Sequence, residues 1–118
     1  MIPNRTWIKD WKIGENPSRE KEVSNDLLTI FINFWKSQRI DEKAKTTKNR
    51  YSGALHSIGG YLVEQAVSED DANMTSYELL SEHIGPYDGP LICHDNETWQ
   101  KEIDMVSRKL HKYLKAKC

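Results

Sequence analysis

Residues 47–62 read TKNRYSGALHSIGGYL, and the fold prediction starts from this stretch. Its apolar residues Tyr51, Leu55, Ile58 and Leu62 recur at i, i+4, i+7 and i+11, which places them on one face of an α-helix. Thr47 is predicted to cap the start of this helix. A surface helix needs only the apolar face, whereas a basic first turn suits a helix that faces an anion. The stretch therefore predicts an amphipathic helix whose first turn faces a negatively charged partner.

The preceding segment predicts a second helix that is rich in aromatic residues. Ser24, Asn25 and Asp26 offer an N-cap to the apolar run 27–35. Part of this run also fits a β-strand, but the cap and the length of the run favour a helix.

Two more helices are predicted towards the end of the chain. Thr75 and Glu78 have the spacing of a capping box and begin a short helix that stops before Gly85. Either Asp95 or Asn96 caps the last helix, which has a long apolar stripe. The stripe consists of Trp99, Ile103, Val106, Leu110, Tyr113 and Leu114.

These patterns predict an all-α fold, a compact bundle of four helices in residues 24–118 that follows an N-terminal arm in residues 1–23. The arm is predicted to be partly ordered. It is either loose or docked through Trp7 and Trp11, and docking is favoured because two exposed tryptophans are unusual. Gly59 and Gly60 each cost about 1 kcal/mol of helix propensity, so we expect another helix to cross closely there.

Charge is distributed unevenly along the 118 residues, although the net charge is −1. Residues 36–51 carry a net charge of +4, and residues 101–118 also carry +4. Residues 52–100 between them hold nine carboxylates and no lysine or arginine. If the two basic segments meet in the fold, the molecule has one basic and one acidic side, and such a field orients a charged partner.

The sequence lacks the common catalytic motifs, among them a glycine-rich phosphate loop, Gly-x-Ser-x-Gly and His-Glu-x-x-His. Cys93, His94 and Asp95 are adjacent, but neighbouring residues of an extended chain point to opposite faces and chelate poorly. We therefore predict no enzyme activity, no catalytic residue, no metal ligand and no cofactor.

The two cysteines, Cys93 and the terminal Cys118, do not form a disulfide framework. No apolar stretch has the length of a membrane span, and no charged-then-apolar leader opens the chain. We expect a cytoplasmic protein with reduced thiols and no membrane partner.

The pattern Thr47-x-x-x-Tyr51-x-x-x-Leu55 resembles the N-terminal, core-binding (SAM-like) domain of the tyrosine recombinase, or phage integrase, family. The aromatic run 31–35, the basic connection after it and the pair Tyr61-Leu62 also resemble that domain. The resemblance covers residues 25–66 well and residues 96–115 loosely. The acidic segment 52–100, the turn 85–90 and the arm depart from the family pattern.

The resemblance implies the non-catalytic half of a clamp around duplex DNA, in which the second helix presents its start to the major groove. The family's catalytic residues belong to a separate domain, which would be a protein partner of this chain, as would other subunits. Phosphates pair with lysine and arginine, and base edges accept contacts from asparagine or arginine. The expected DNA-binding residues are Lys43, Lys45, Thr46, Thr47, Lys48, Asn49, Arg50, Arg108, Lys109 and Lys112.

A second interpretation stays open from the sequence alone. The carboxylates of residues 52–100 repel DNA and suit a basic protein partner, which favours a small helical interaction or regulatory module. The two interpretations differ in whether Lys45, Lys48 and Arg50 lie beside Arg108, Lys109 and Lys112.

Overall fold

The computed structural model describes residues 3–68, 74–84 and 96–117 of the chain. Over these residues the fold is all-α, as predicted, and no strand occurs in them. One turn of 3-10 helix, Ile40–Glu42, interrupts the connection between the second and third helices. The five α-helices of this part of the chain are α1 (Thr6–Asp10), α2 (Pro17–Ser37), α3 (Lys45–Ala66), α4 (Ser76–His83) and α5 (Glu97–Lys117).

Helix α2 begins seven residues before the predicted cap at Ser24. Asn16 is its N-cap, because the Asn16 side chain accepts a hydrogen bond of 3.3 Å from the backbone N–H of Arg19. Pro17 follows at the first helical position, where its missing N–H costs nothing. The predicted start at 24–26 is therefore wrong. Ser24 is 1 % exposed inside the helix, and Asp26 accepts a hydrogen bond of 2.8 Å from Ser76 Oγ.

Helix α3 begins at Lys45, and its N-cap is Ala44, which makes no side-chain cap. The predicted cap at Thr47 is wrong, since Thr47 lies inside the first turn. The start of α3 follows the 3-10 turn, where Arg39 adopts a left-handed φ of 54° and Ile40 is buried in the core. Because Ile40 is held in the core, the 3-10 turn fixes the position at which α3 begins.

The predicted starts of the last two helices are confirmed. The hydroxyl of Thr75 accepts from the N–H of Glu78 at 3.1 Å, and the carboxylate of Glu78 accepts from the N–H of Thr75 at 2.9 Å. Asn96 caps α5, because its side chain accepts from the N–H of Trp99 at 3.1 Å. Several sequence predictions fall outside the described residues, namely those on the acidic loop 69–73, Gly85–Pro90, Cys93–Asp95 and Cys118.

Helix α1 was not predicted, but the predicted docking of its tryptophans is confirmed. Trp7 and Trp11 are buried in the same core as α2 and α3. A Cβ atom built at Gly59 would lie 2.2 Å from Cζ2 of Trp11, so only glycine leaves room for the indole. The Nε1–H of Trp11 donates to the carbonyl oxygen of His56 at 3.0 Å. The close approach predicted at Gly59 is thus made by the indole of Trp11.

Helices α2, α3 and α5 supply most of the core, and their pairing sets the position of the charged segments. Phe34 near the end of α2 has its ring centroid 6.4 Å from that of Tyr51 and 5.5 Å from that of Tyr113. The last turns of α2 therefore pack against the first half of α3 and the last turns of α5. At the other end of the bundle, Arg19 Nε donates to the carbonyl oxygen of Ala66 at 3.2 Å.

Candidate nucleic-acid interface

The two basic segments of the sequence lie at the same end of the bundle. Gly53 lies against Trp99, and Arg50 pairs with Glu102, so α3 and α5 run antiparallel. Continuing this register places the start of α3 beside the middle of α5. We call this region the basic end, and it comprises the connection and helix start 36–50 together with residues 108–115 of α5.

The cations at the start of α3 do not all share one face. Lys43, Lys45 and Arg50 are exposed, whereas Lys48 is half-buried. Arg50 lies about 140° around the helix axis from Lys45 and about 160° from Lys48. Lys45 and Lys48 therefore point to one flank of α3, and Arg50 points to the flank that carries α5. Among the uncharged candidates, Thr46 and Asn49 are exposed and Thr47 is half-buried.

Arg50 is the link between the two helices. Its Nε atom lies 3.5 Å from Oε1 of Glu102 on α5. A shallow depression beside this pair is lined by Lys101, Asp104 and Arg108 as well. The depression thus joins Arg50 to Arg108, as the DNA hypothesis expects, but its two carboxylates make its charge mixed.

The second half of α5 presents a surface without carboxylates, which we call the α5 basic patch. The patch lines a second depression, and it consists of Met105, Arg108, Lys109, His111, Lys112 and Lys115. Within the described part of the chain, its lysines and Arg108 make no ion pair or hydrogen bond. Lys115 also stabilises α5, because it lies in the last turn of the helix near its negative end. The cations of the patch are free to pair with phosphates, and Lys115 adds a cation that the sequence prediction did not include.

Tyr51 lies behind Arg50 in the core. Burial raises the pKa of its phenol above the ordinary value of 10.0, and the negative charge of Glu102 raises it further. The Tyr51 hydroxyl therefore stays neutral across the physiological pH range. Tyr51 belongs to the core, as its position in the apolar stripe predicted.

Trp99 departs from its predicted place in the buried stripe of α5. Its side chain is 46 % exposed, while Ile103, Val106 and Leu110 of the same stripe are buried. A Cβ atom at Gly53 would lie 3.1 Å from Cζ3 of Trp99, so the indole covers this glycine from outside. The stripe alone predicts burial, but Trp99 lies in the first turn of α5, and its indole packs over Gly53 at the surface.

Among the described residues, none of the helices combines the length and the apolar character that a membrane span requires. In the same residues no three histidine, cysteine, aspartate or glutamate side chains cluster as metal ligands would. Comparison with protein-family models, curated proteins and solved structures finds no match to this chain.

Proposed function

We propose that the chain binds duplex DNA through the basic end, as the non-catalytic clamp domain of a site-specific recombinase of the integrase type. One observation carries this proposal: the fold brings the basic connection 36–50 and the α5 basic patch to one end of the bundle. The role is DNA binding without catalysis, in the cytoplasm, beside a partner that supplies the catalytic residues.

The free cations of the α5 basic patch are the strongest candidates for phosphate contacts. Lys109 and Lys112 are exposed, lie on the same side of α5, and have no carboxylate beside them in the patch. Arg50 is a weaker candidate, because Glu102 already neutralises part of its charge. Thr46 and Asn49, which are exposed in the first turns of α3, are placed to donate to phosphates or base edges.

The test is titration of a fluorescent duplex with the full chain at several salt concentrations. If about five phosphates are neutralised, the logarithm of the binding constant falls against the logarithm of salt with a slope of about −4 to −5. Lys109→Gln/Lys112→Gln removes two of the free cations, and the slope is expected to become shallower by about 2.

Arg50 is tested separately as Arg50→Gln. Glutamate at position 50 would repel Glu102 and destabilise the fold, so a loss of DNA binding could not be distinguished from a loss of stability. Lys12→Gln/Lys21→Gln serves as the control for Lys109→Gln/Lys112→Gln, with the same change of net charge, and neither of its lysines belongs to the basic end. Absence of salt-sensitive binding by the wild type at low salt would contradict the proposal.

One surface favours the interaction module as a second candidate function. Tyr77 on α4 is 50 % exposed, and the same helix carries two exposed carboxylates, Glu78 and Glu82. A short helix with an exposed aromatic side chain and carboxylates fits a protein partner that carries cations. If the chain does not bind DNA, Tyr77→Ala with Glu82→Gln is the variant in which to look for loss of such a partner.

A further inference from the structure

A groove between α1 and the first turns of α2 is not used by the proposed DNA interface. One wall is formed by Arg5, Ile8 and Lys9 of the α1 region, and the other by Pro17 and Lys21 of α2. Lys12, Gly14, Glu20, Ser24 and Asn25 complete the lining. The floor is mostly apolar, and four cations surround it: Arg5, Lys9, Lys12 and Lys21.

The one carboxylate that lines the groove does not neutralise these cations. Glu20 is buried, and its carboxylate accepts hydrogen bonds from the backbone N–H groups of Ile13 at 2.6 Å, Asn16 at 2.8 Å and Gly14 at 3.1 Å. The charge of Glu20 is therefore directed at the backbone of the α1–α2 connection. Among the described residues, the four cations make no ion pair and no hydrogen bond through their side chains.

The groove is separate from the basic end. Lys21 and Lys36 both lie on α2, and the 15 residues between their positions span about 22 Å of helix. This distance exceeds the Debye length of about 8 Å at physiological ionic strength. Lys21 and Lys36 are therefore screened from each other, and the groove shares no lining residue with the basic end.

We infer that the groove between α1 and α2 binds an acidic peptide segment of a partner protein, with an apolar side chain against Ile8 and Pro17 and carboxylates against the four cations. The lining of α2 extends from Pro17 to Asn25, about 12 Å of helix, which suits several spaced carboxylates better than one compact anion. The apolar floor favours a peptide over a nucleic-acid backbone, because a phosphodiester chain has no apolar side chains to place there.

The experiment uses the full chain and a fluorescein-labelled peptide in which glutamate and leucine alternate. Fluorescence anisotropy measures its binding to the wild type, to Lys9→Glu/Lys21→Glu, and to the control Lys43→Glu/Lys45→Glu, which carries the same net charge. The groove variant is expected to bind about tenfold more weakly, while the control keeps nearly the wild-type affinity. Circular dichroism checks that both variants are folded.

A second peptide with serine in place of each leucine tests the apolar floor, and it is expected to bind more weakly than the first. In the wild type, NMR resonances of residues 5–25 are expected to shift on titration, and those of 108–115 to stay in place. Equal loss of binding in the groove variant and its control would overturn the inference, because attraction would then depend on net charge alone. No binding of the peptide at low salt, or equal binding of the serine peptide, would overturn it as well.

Discussion

The indole of Trp11 fills the space that a side chain at position 59 would need. It is buried, and its Nε1–H is held by the carbonyl oxygen of His56, so it cannot rotate away at low cost. Gly59→Ala is therefore expected to lower the free energy of unfolding by about 1–3 kcal/mol, as overpacking of a core does. Urea unfolding followed by circular dichroism measures this change.

The neighbouring glycine supplies the control for that substitution. A Cβ atom at Gly60 would lie 3.4 Å from Cδ1 of Trp11, which is an ordinary contact. Gly60→Ala is expected to be neutral or to stabilise α3 by up to about 1 kcal/mol, because alanine has the higher helix propensity. If Gly59→Ala and Gly60→Ala change the free energy of unfolding equally, the indole of Trp11 does not pack against Gly59 as described.

The carboxylate of Glu20 makes stability depend on pH. The backbone N–H groups of Asn16, Ile13 and Gly14 hold its pKa below the ordinary value of 4.5, against the opposing effect of burial. A group whose pKa is lowered by folding stabilises the protein above the pKa of the unfolded state. That contribution is lost as the pH falls through the lower pKa of the folded state.

We therefore expect Glu20→Gln to be less stable than the wild type at pH 7 and to lose less stability between pH 6 and pH 3. Thermal unfolding across this range measures the difference. Glu64→Gln is the matched control, because Glu64 is exposed and makes no hydrogen bond within the described residues. A pH dependence of Glu20→Gln that parallels that of the wild type would contradict this role.

At the level of helices, the sequence predicted those starts at which a side chain caps the backbone just before an apolar stripe. Thr75 and Asn96 meet this condition, and both predictions are confirmed. Asn16 also caps its helix, but the first turns of α2 after it are polar on most sides. The predicted start of α2 was therefore placed too late in the sequence, next to the apolar run at 27–35. Ala44 has no side-chain cap, so the start of α3 depends on the buried turn at Ile40 and was not readable locally.

The candidate site was predictable in its composition but not in its pairing. Charge counting along the sequence found the two basic segments, and the fold brings them to one end. Counting could not show that Glu102 pairs with Arg50, because that contact depends on the register of α3 against α5. It could not show the groove beside α1 either, since the cations of residues 1–35 are balanced in number by carboxylates.

At the scale of the whole molecule, two groups of cations among the described residues have different surroundings. The α5 basic patch lies along a single helix and is lined by no carboxylate, as expected for contacts to phosphates. The groove beside α1 has an apolar floor, as expected for a peptide. The net charge of −1 of the whole chain does not reveal either group, because carboxylates elsewhere in the sequence offset these cations.

This separation predicts that the two ligands bind independently. Lys9→Glu/Lys21→Glu is expected to leave the salt slope of duplex binding unchanged, because neither lysine belongs to the basic end and Lys21 lies more than a Debye length from Lys36. Lys109→Gln/Lys112→Gln is expected to leave binding of the acidic peptide unchanged. In the quadruple variant each ligand is expected to lose as much affinity as in the double variant of its own site, because distant sites without shared partners do not couple. Titrations of both ligands against all four proteins measure this, and a slope that falls in the groove variant as much as in the α5 variant would mean that DNA contacts the whole surface.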